Sequence, residues 1–141
     1  MLSRGDDDIL LYEIALTFFK AGNLTGCEDL LRRALTVNNE NSLCCLALVQ
    51  LLTETGRLEE SLPILHHMVD KQLLPDQSLL FLGDVHQALG NDDQAIQSYS
   101  NALAYSNASK AAAERLIPLF ESRGNSDEAA YLFNRYLKGC R

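Results

Sequence analysis

Four places in the sequence bring together side chains able to do chemistry. Cys44-Cys45 and His66-His67 offer thiols and imidazoles, the ligand types of a zinc site. His86 follows Asp84 by two residues, an imidazole and a carboxylate of the kind that exchange protons in acid–base catalysis. Arg32-Arg33 is a basic pair suited to a phosphate. Spacing argues against each. Zinc needs ligands that converge, whereas neighbours on a helix diverge by about 100°. Asp84 and His86, two apart on a helix, point to different faces. Arg32 and Arg33 have Glu28 and Asp29 one turn behind them, so their charge is answered locally. The expectation is no metal, no cofactor and no enzyme, with buried structural thiols and a hydrogen-bonded core histidine at 86.

The elements that position these residues follow from bulk composition and pattern. The 141 residues are 47% hydrophobic and carry a formal net charge of −7. That is enough apolar material for a packed core, and the acidity argues against a nucleic-acid partner, since phosphate backbones are held by clustered Lys and Arg. The apolar uncharged run of 13 residues from Asn41 to Thr53 is too short for a membrane span. "MLSRGDDD" is not a secretory signal. Four cysteines without disulfide-scaffold spacing point to a reducing compartment, cytoplasmic or nuclear.

Gly22, Gly56, Gly90 and Gly124 stand 34 residues apart, and other positions repeat with them. Five residues after each glycine lie Cys27, Ser61, Ala95 and Ala129, all small. Nine after lie Leu31, Leu65, Tyr99 and Phe133, all large and apolar. Twelve after lie Ala34, Met68, Ala102 and Tyr136. No insertion breaks the register. Apolar residues fall at helical spacing on both sides of each glycine, as with Leu11, Ile14, Ala15 and Phe18 before Gly22, so each unit reads as two helices joined by a left-handed glycine. Asn23, Asn91 and Asn125 are placed to begin the second helices. Pro63 falls early in a helix, at little cost. Pro118 falls inside one and predicts a kink or an early break there.

Leu79-x2-Leu82-Gly83-x2-His86, followed by Ala95-x3-Tyr99-x2-Ala102, resembles the tetratricopeptide repeat, W-x2-L-G-x2-Y then A-x3-F over 34 residues. No Trp occurs, and the late proline is missing from the first, third and fourth units. The resemblance implies an all-α, right-handed superhelical solenoid of four antiparallel helix hairpins. A lead-in of 1–7 precedes a single domain, 8–141, with repeats 8–41, 42–75, 76–109 and 110–141. The last unit is also similar to units in repeat subunits of the anaphase-promoting ubiquitin ligase.

The resemblance further implies a partner-binding concave face lined by the first helix of each unit. Its lining is Ile9, Tyr12, Leu16 and Phe19 in the first unit, then Leu43, Leu46 and Gln50 in the second. Leu80 and Asp84 follow in the third, and Glu114 in the fourth. The lining passes from apolar to acidic. At the far end, Leu132, Tyr136 and Leu137 form a face that nothing in the sequence covers, open to a second copy or another subunit; the chain then reads as a piece of a larger scaffold. The chaperone adaptors of the family clamp two carboxylates. The matching positions here are Tyr12, Leu16, Ala47, Gln77 and Phe81, or Leu46, Gln50, Phe81, Ala111 and Arg115, which hold at most one cation. The expected function is therefore a non-enzymatic scaffold or adaptor in a multi-subunit assembly. Its partner is a protein helix, an extended peptide or another subunit. The alternatives are a co-chaperone using another peptide mode and a regulatory domain cut from an enzyme.

Overall fold

The structure, a computed structural model, describes residues 4–139. The described residues are helical, with no strand among them. The helices are α1 (Arg4–Lys20), α2 (Leu24–Val37), α3 (Ser42–Glu54), α4 (Leu58–Asp70), α5 (Pro75–Ala88), α6 (Asp92–Ala102), α7 (Ser106–Ser122) and α8 (Ser126–Leu132), the last running into a π turn at Phe133–Leu137. They divide into two compact units, Met1–Leu73 and Leu74–Arg141. The first helix starts at Arg4, inside the lead-in expected over 1–7; residues 1–3 lie outside the described residues.

All four glycines of the 34-residue series are left-handed, with φ between +77° and +82°. Each closes the same motif. Gly22 N–H donates to Phe19 O at 3.0 Å and Asn23 N–H to Phe18 O at 2.9 Å, satisfying carbonyls that the end of α1 would otherwise leave bare. Asn23 then caps α2 by accepting from Gly26 N–H at 2.9 Å. Asn91 and Asn125 occupy the same position without a side-chain cap bond. Their helices instead open on acid pairs, Asp92-Asp93 and Asp127-Glu128, which suit the positive end of the helix dipole.

In the first unit, α1 packs on α2, α2 on α3, and α3 on α4. Ala15, Cys27, Leu30, Leu31, Ala34, Cys44, Leu48, Leu51 and Leu52 make one core, with Tyr12 and Phe18 lying partly buried against it. The connector between the two hairpins is held from three sides. Asp8 is buried and accepts from Asn41 Nδ2 at 2.5 Å and from Asn38 Nδ2 at 3.2 Å. Asn39 O accepts from His67 Nε2 at 2.7 Å and from Cys45 Sγ at 3.8 Å. A four-residue ion network of Glu28, Arg32, Arg57 and Glu60 ties α2 to the start of α4.

In the second unit, α5 packs on α6 and α7, α6 on α7, and α7 on α8. Tyr99 is its largest fully buried side chain. Gly83 makes room for that ring: a Cβ there would stand 2.7 Å from Tyr99 Cδ1, far inside contact distance. Small residues Ala108, Ala112 and Ala113 form the buried stripe of α7.

Two expectations meet a different outcome here. The early break expected at Pro118 does not occur, and helix α7 runs from Ser106 to Ser122 through it. Pro118 and Glu114, whose carbonyl the missing N–H would have met, both lie on the exposed face of α7, away from its buried stripe. The packing series also ends early: Leu31, Leu65 and Tyr99 are fully buried, but Phe133 is exposed. Phe133 opens the π turn, closed by Lys138 N–H on Phe133 O at 2.7 Å, and the wider turn shifts the side-chain phase.

Candidate partner-binding site

The sequence-selected groove residues of the first unit lie on α1 and α3. Ile9, Leu16, Phe19 and Leu43 are exposed, large apolar side chains held out of the core. Tyr12 and Leu46 are half-buried, and Gln50 is exposed. Three of them meet at one place. A cleft of about 90 Å³ is walled by Leu16 and Phe19 of α1, Cys27 and Leu31 of α2, and Ala47, Gln50, Leu51 and Glu54 of α3. The helical spacing of Leu16 and Phe19 sets one lip, and Ala47, Gln50 and Glu54 at i, i+3 and i+7 set the other. Leu31, Cys27 and Leu51 are buried and form the floor, whereas Gln50 and Glu54 are exposed at the mouth. Glu54 and the part played by α2 were missed in the sequence, where first helices alone were read as lining. The cleft is apolar and has no nucleophile–base pair. It can hold an aliphatic group and present a carboxylate and an amide beside it.

Ile9 and Leu43 do not line this cleft. Neither do the second-unit residues, which have another setting. Asp84 accepts from Tyr99 Oη and, at 2.8 Å, from Arg115 Nε, while Gln87 accepts from Tyr99 Oη at 3.2 Å. Burial and the Asp84 carboxylate push the Tyr99 phenol well above its ordinary value. Asp84 is thus a tie between α5, α6 and α7, and Arg115, the one cation at the carboxylate-clamp positions, is already neutralised by it. Leu80 is half-buried and Glu114 exposed. At the far end Leu132, expected on the open face, is only 4% exposed and belongs to the core, because α8 turns it toward α7. Tyr136 and Leu137 are half-buried. Tyr131 and Phe133 are instead the exposed aromatics there, at 61% and 50%.

The chemistry-bearing residues are placed as follows. Burial drives the Cys44 thiol up to about 12 and Cys45 up to about 11, with Asp8 and Cys45 adding to the rise at Cys44. Cys27 is raised too, by burial and then by Glu28. His86 is buried, its Nδ1 3.4 Å from Asn91 Nδ2. His67 is spent on Asn39 O. Arg32 Nε reaches Glu28 at 2.9 Å, as its spacing predicts, and Arg57 joins the same carboxylate at 2.5 Å.

Residues 78–111 match the model of the tetratricopeptide repeat. Among solved structures, a crystal structure of MamA, itself a tetratricopeptide-repeat protein, superposes with a TM-score of 0.82 at 17% identity, covering 94% of this chain and 77% of that one. A second MamA structure, from AMB-1, gives 0.78 at 20% identity over 96% of this chain and 75% of that one. A third, from MSR-1, gives 0.72 at 20% identity over 91% and 74%. Curated protein sequences give no match. The chain carries a tetratricopeptide repeat, and its fold is that of the tetratricopeptide-repeat proteins, whose general role is protein–protein interaction. The likeness of the fourth unit to the ubiquitin-ligase subunits stays a resemblance of sequence. No helix among the described residues is long and apolar enough to cross a membrane.

Proposed function

We propose that the chain is a non-enzymatic interaction module, a scaffold or adaptor, that receives a polypeptide segment of its partner on α1 and α3 of the first unit. One observation carries this reading: Leu16 and Phe19 stand exposed at the lip of an apolar cleft, with Ile9 and Leu43 exposed elsewhere on the same two helices, while the core beneath them is complete. Large apolar side chains grouped at a surface mark interaction sites, and a partner helix or strand supplies side chains at spacings that fit such a cleft. The free, buried thiols Cys27, Cys44 and Cys45 support a reducing intracellular setting, cytoplasmic or nuclear.

The test is selection of short random peptides on the folded chain, followed by titration of the selected sequences against Leu16→Ser and Tyr12→Ser. Circular dichroism checks that both variants keep their helices. Binding lost in a still-helical Leu16→Ser variant supports the reading. Binding retained in both variants removes the cleft as the contact surface.

Self-association is the second reading, favoured by Tyr131 and Phe133 at the end of the second unit. Sedimentation equilibrium decides it. An oligomer that falls to monomer in Tyr131→Ser/Phe133→Ser supports it, and a wild-type monomer at every concentration ends it.

A further inference from the structure

We infer that copies of this chain associate head to tail: the exposed face of α1 in one copy packs on the α8 end of another, as a first helix packs on the second helix before it. This rests on the self-association read from Tyr131 and Phe133, and adds the surface that meets them.

The repeat register says what covers each face. Position by position, α1 carries Leu10 and Ile14 where α3 carries Cys44 and Leu48 and α7 carries Ala112 and Leu116. Those four are at most 1% exposed, in helices that pack on the second helix before them, α3 on α2 and α7 on α6. Leu10 and Ile14 are 44% and 37% exposed. The far end shows the other side of the same seam. Phe133 stands where α2 has Leu31 and α6 has Tyr99, and Tyr136 where they have Ala34 and Ala102. Those four are fully buried, whereas Phe133 is exposed and Tyr136 half-buried. Each face thus lacks what the other offers, and the seam they would form together is already made twice within the chain.

Charge agrees with this pairing. The connectors at 38–41 and 103–105 are short, so a first helix begins beside the end of the second helix before it and runs back along it. Between copies, the same course sets the start of α1 against the end of the π turn, and the end of α1 against the start of α8. Asp7 lies near the start of α1, and Arg135 and Lys138 are exposed at the end of the π turn. Lys20 closes α1, and Asp127 and Glu128 open α8, all three exposed. Opposite charges meet at both ends of the seam, which fixes its direction. Beside Leu10, an open cleft of about 370 Å³ is walled by Asp7, Leu10 and Leu11 of α1 and by Arg33, Thr36 and Val37 of α2. An apolar cavity of ~150 Å³ already admits benzene, so this cleft has room for the Phe133 ring.

Sedimentation equilibrium of the full chain tests the inference with two variants, Leu10→Gln/Ile14→Gln in α1 and Phe133→Gln/Arg135→Glu at the other end. All four residues are exposed, and circular dichroism checks that the helices remain. Each variant alone should self-associate at least about tenfold more weakly than wild type. Mixed in equal amounts, they should form a 1:1 complex at wild-type strength, since each keeps the face that the other has lost. An isologous contact, one patch used twice, cannot do this. An α1 variant that associates as wild type does, or a mixture no stronger than its parts, overturns this inference and leaves self-association through Tyr131 and Phe133 standing. Wild type that is a monomer at every concentration overturns both.

Discussion

Gly83 and Tyr99 share one space: the ring of the second fills the place where a side chain on the first would begin. The pair fixes how closely α5 and α6 approach. Gly83→Ala should therefore destabilise the protein by about 1–3 kcal/mol, since the ring has no room to yield in a packed core. The midpoint of urea unfolding reads the loss. An unchanged midpoint would mean that the two helices separate without cost.

The end of α4 predicts the opposite sign. Gln72 N–H donates to Val69 O at 3.1 Å and Leu73 N–H to Met68 O at 2.8 Å, the same closure that the glycine turns make. Here the left-handed position is held by Gln72, with φ of 54°. A residue with a side chain pays strain there that glycine does not. Gln72→Gly should raise stability by up to about 1 kcal/mol, net of the extra freedom glycine gives the unfolded chain. A lower midpoint would show that the Gln72 side chain holds the turn by a contact of its own.

Glu28 makes stability depend on pH. Hydrogen bonds from Arg57 and then Arg32 hold its carboxyl below the usual carboxylate range, against the opposing pull of burial. The ionised form is the one folding favours, so its contribution is full above the unfolded value of about 4.3 and is lost as pH falls through the lowered folded value. Wild type should exceed Glu28→Gln by about 1–2 kcal/mol at neutral pH, and the gap should close on acidification. A gap that stays constant into acid would remove Glu28 from the account.

Cys44 and Cys45 should be silent toward alkylation while the chain is folded. With their thiols held up to about 12 and about 11, the thiolate that reacts is scarce near neutral pH, and burial blocks access. Mass spectrometry of peptides containing residues 27, 44 and 45 should show iodoacetamide adducts in urea and almost none without it. Rapid native labelling would mean that the first unit opens often.

Asp8→Ala should cost about 1–3 kcal/mol, because the Asn38 and Asn41 amides lose the acceptor that orders the α2–α3 connector. Thermal unfolding of the variant checks it; an unchanged melting temperature would mean that those amides find other acceptors.

Much of this architecture is legible in the sequence, and the reasons are local. The glycines at 22, 56, 90 and 124 announce four left-handed turns, because a position needing φ > 0 leaves a mark in residue type. The Glu28–Arg32 pair is equally local. What escapes is set by tertiary neighbours or by phase. Arg57 reaches Glu28 across 29 positions, and Arg115 reaches Asp84 across 31, pairings that no helical period suggests. The cost of Pro118 depends on whether its orphaned carbonyl meets water, which a sequence does not record. Leu132 is buried and Phe133 exposed, the reverse of what the repeat spacing assigns, at the point where α8 passes into its π turn. In the cleft, Leu16, Phe19 and Gln50 follow from the repeat, whereas Glu54 is recognised there only once the last turn of α3 is seen at the mouth.

The connector at 38–41 is gripped by Asp8 from the start of α1 and by His67 from the far end of α4. Two hairpins that share only an apolar seam would peel apart one after the other under tension. With a single loop clasped from both extremities of the segment, neither hairpin can be drawn out without breaking the other's anchorage. Stretched between its ends, residues 8–67 should resist and then give way in one step.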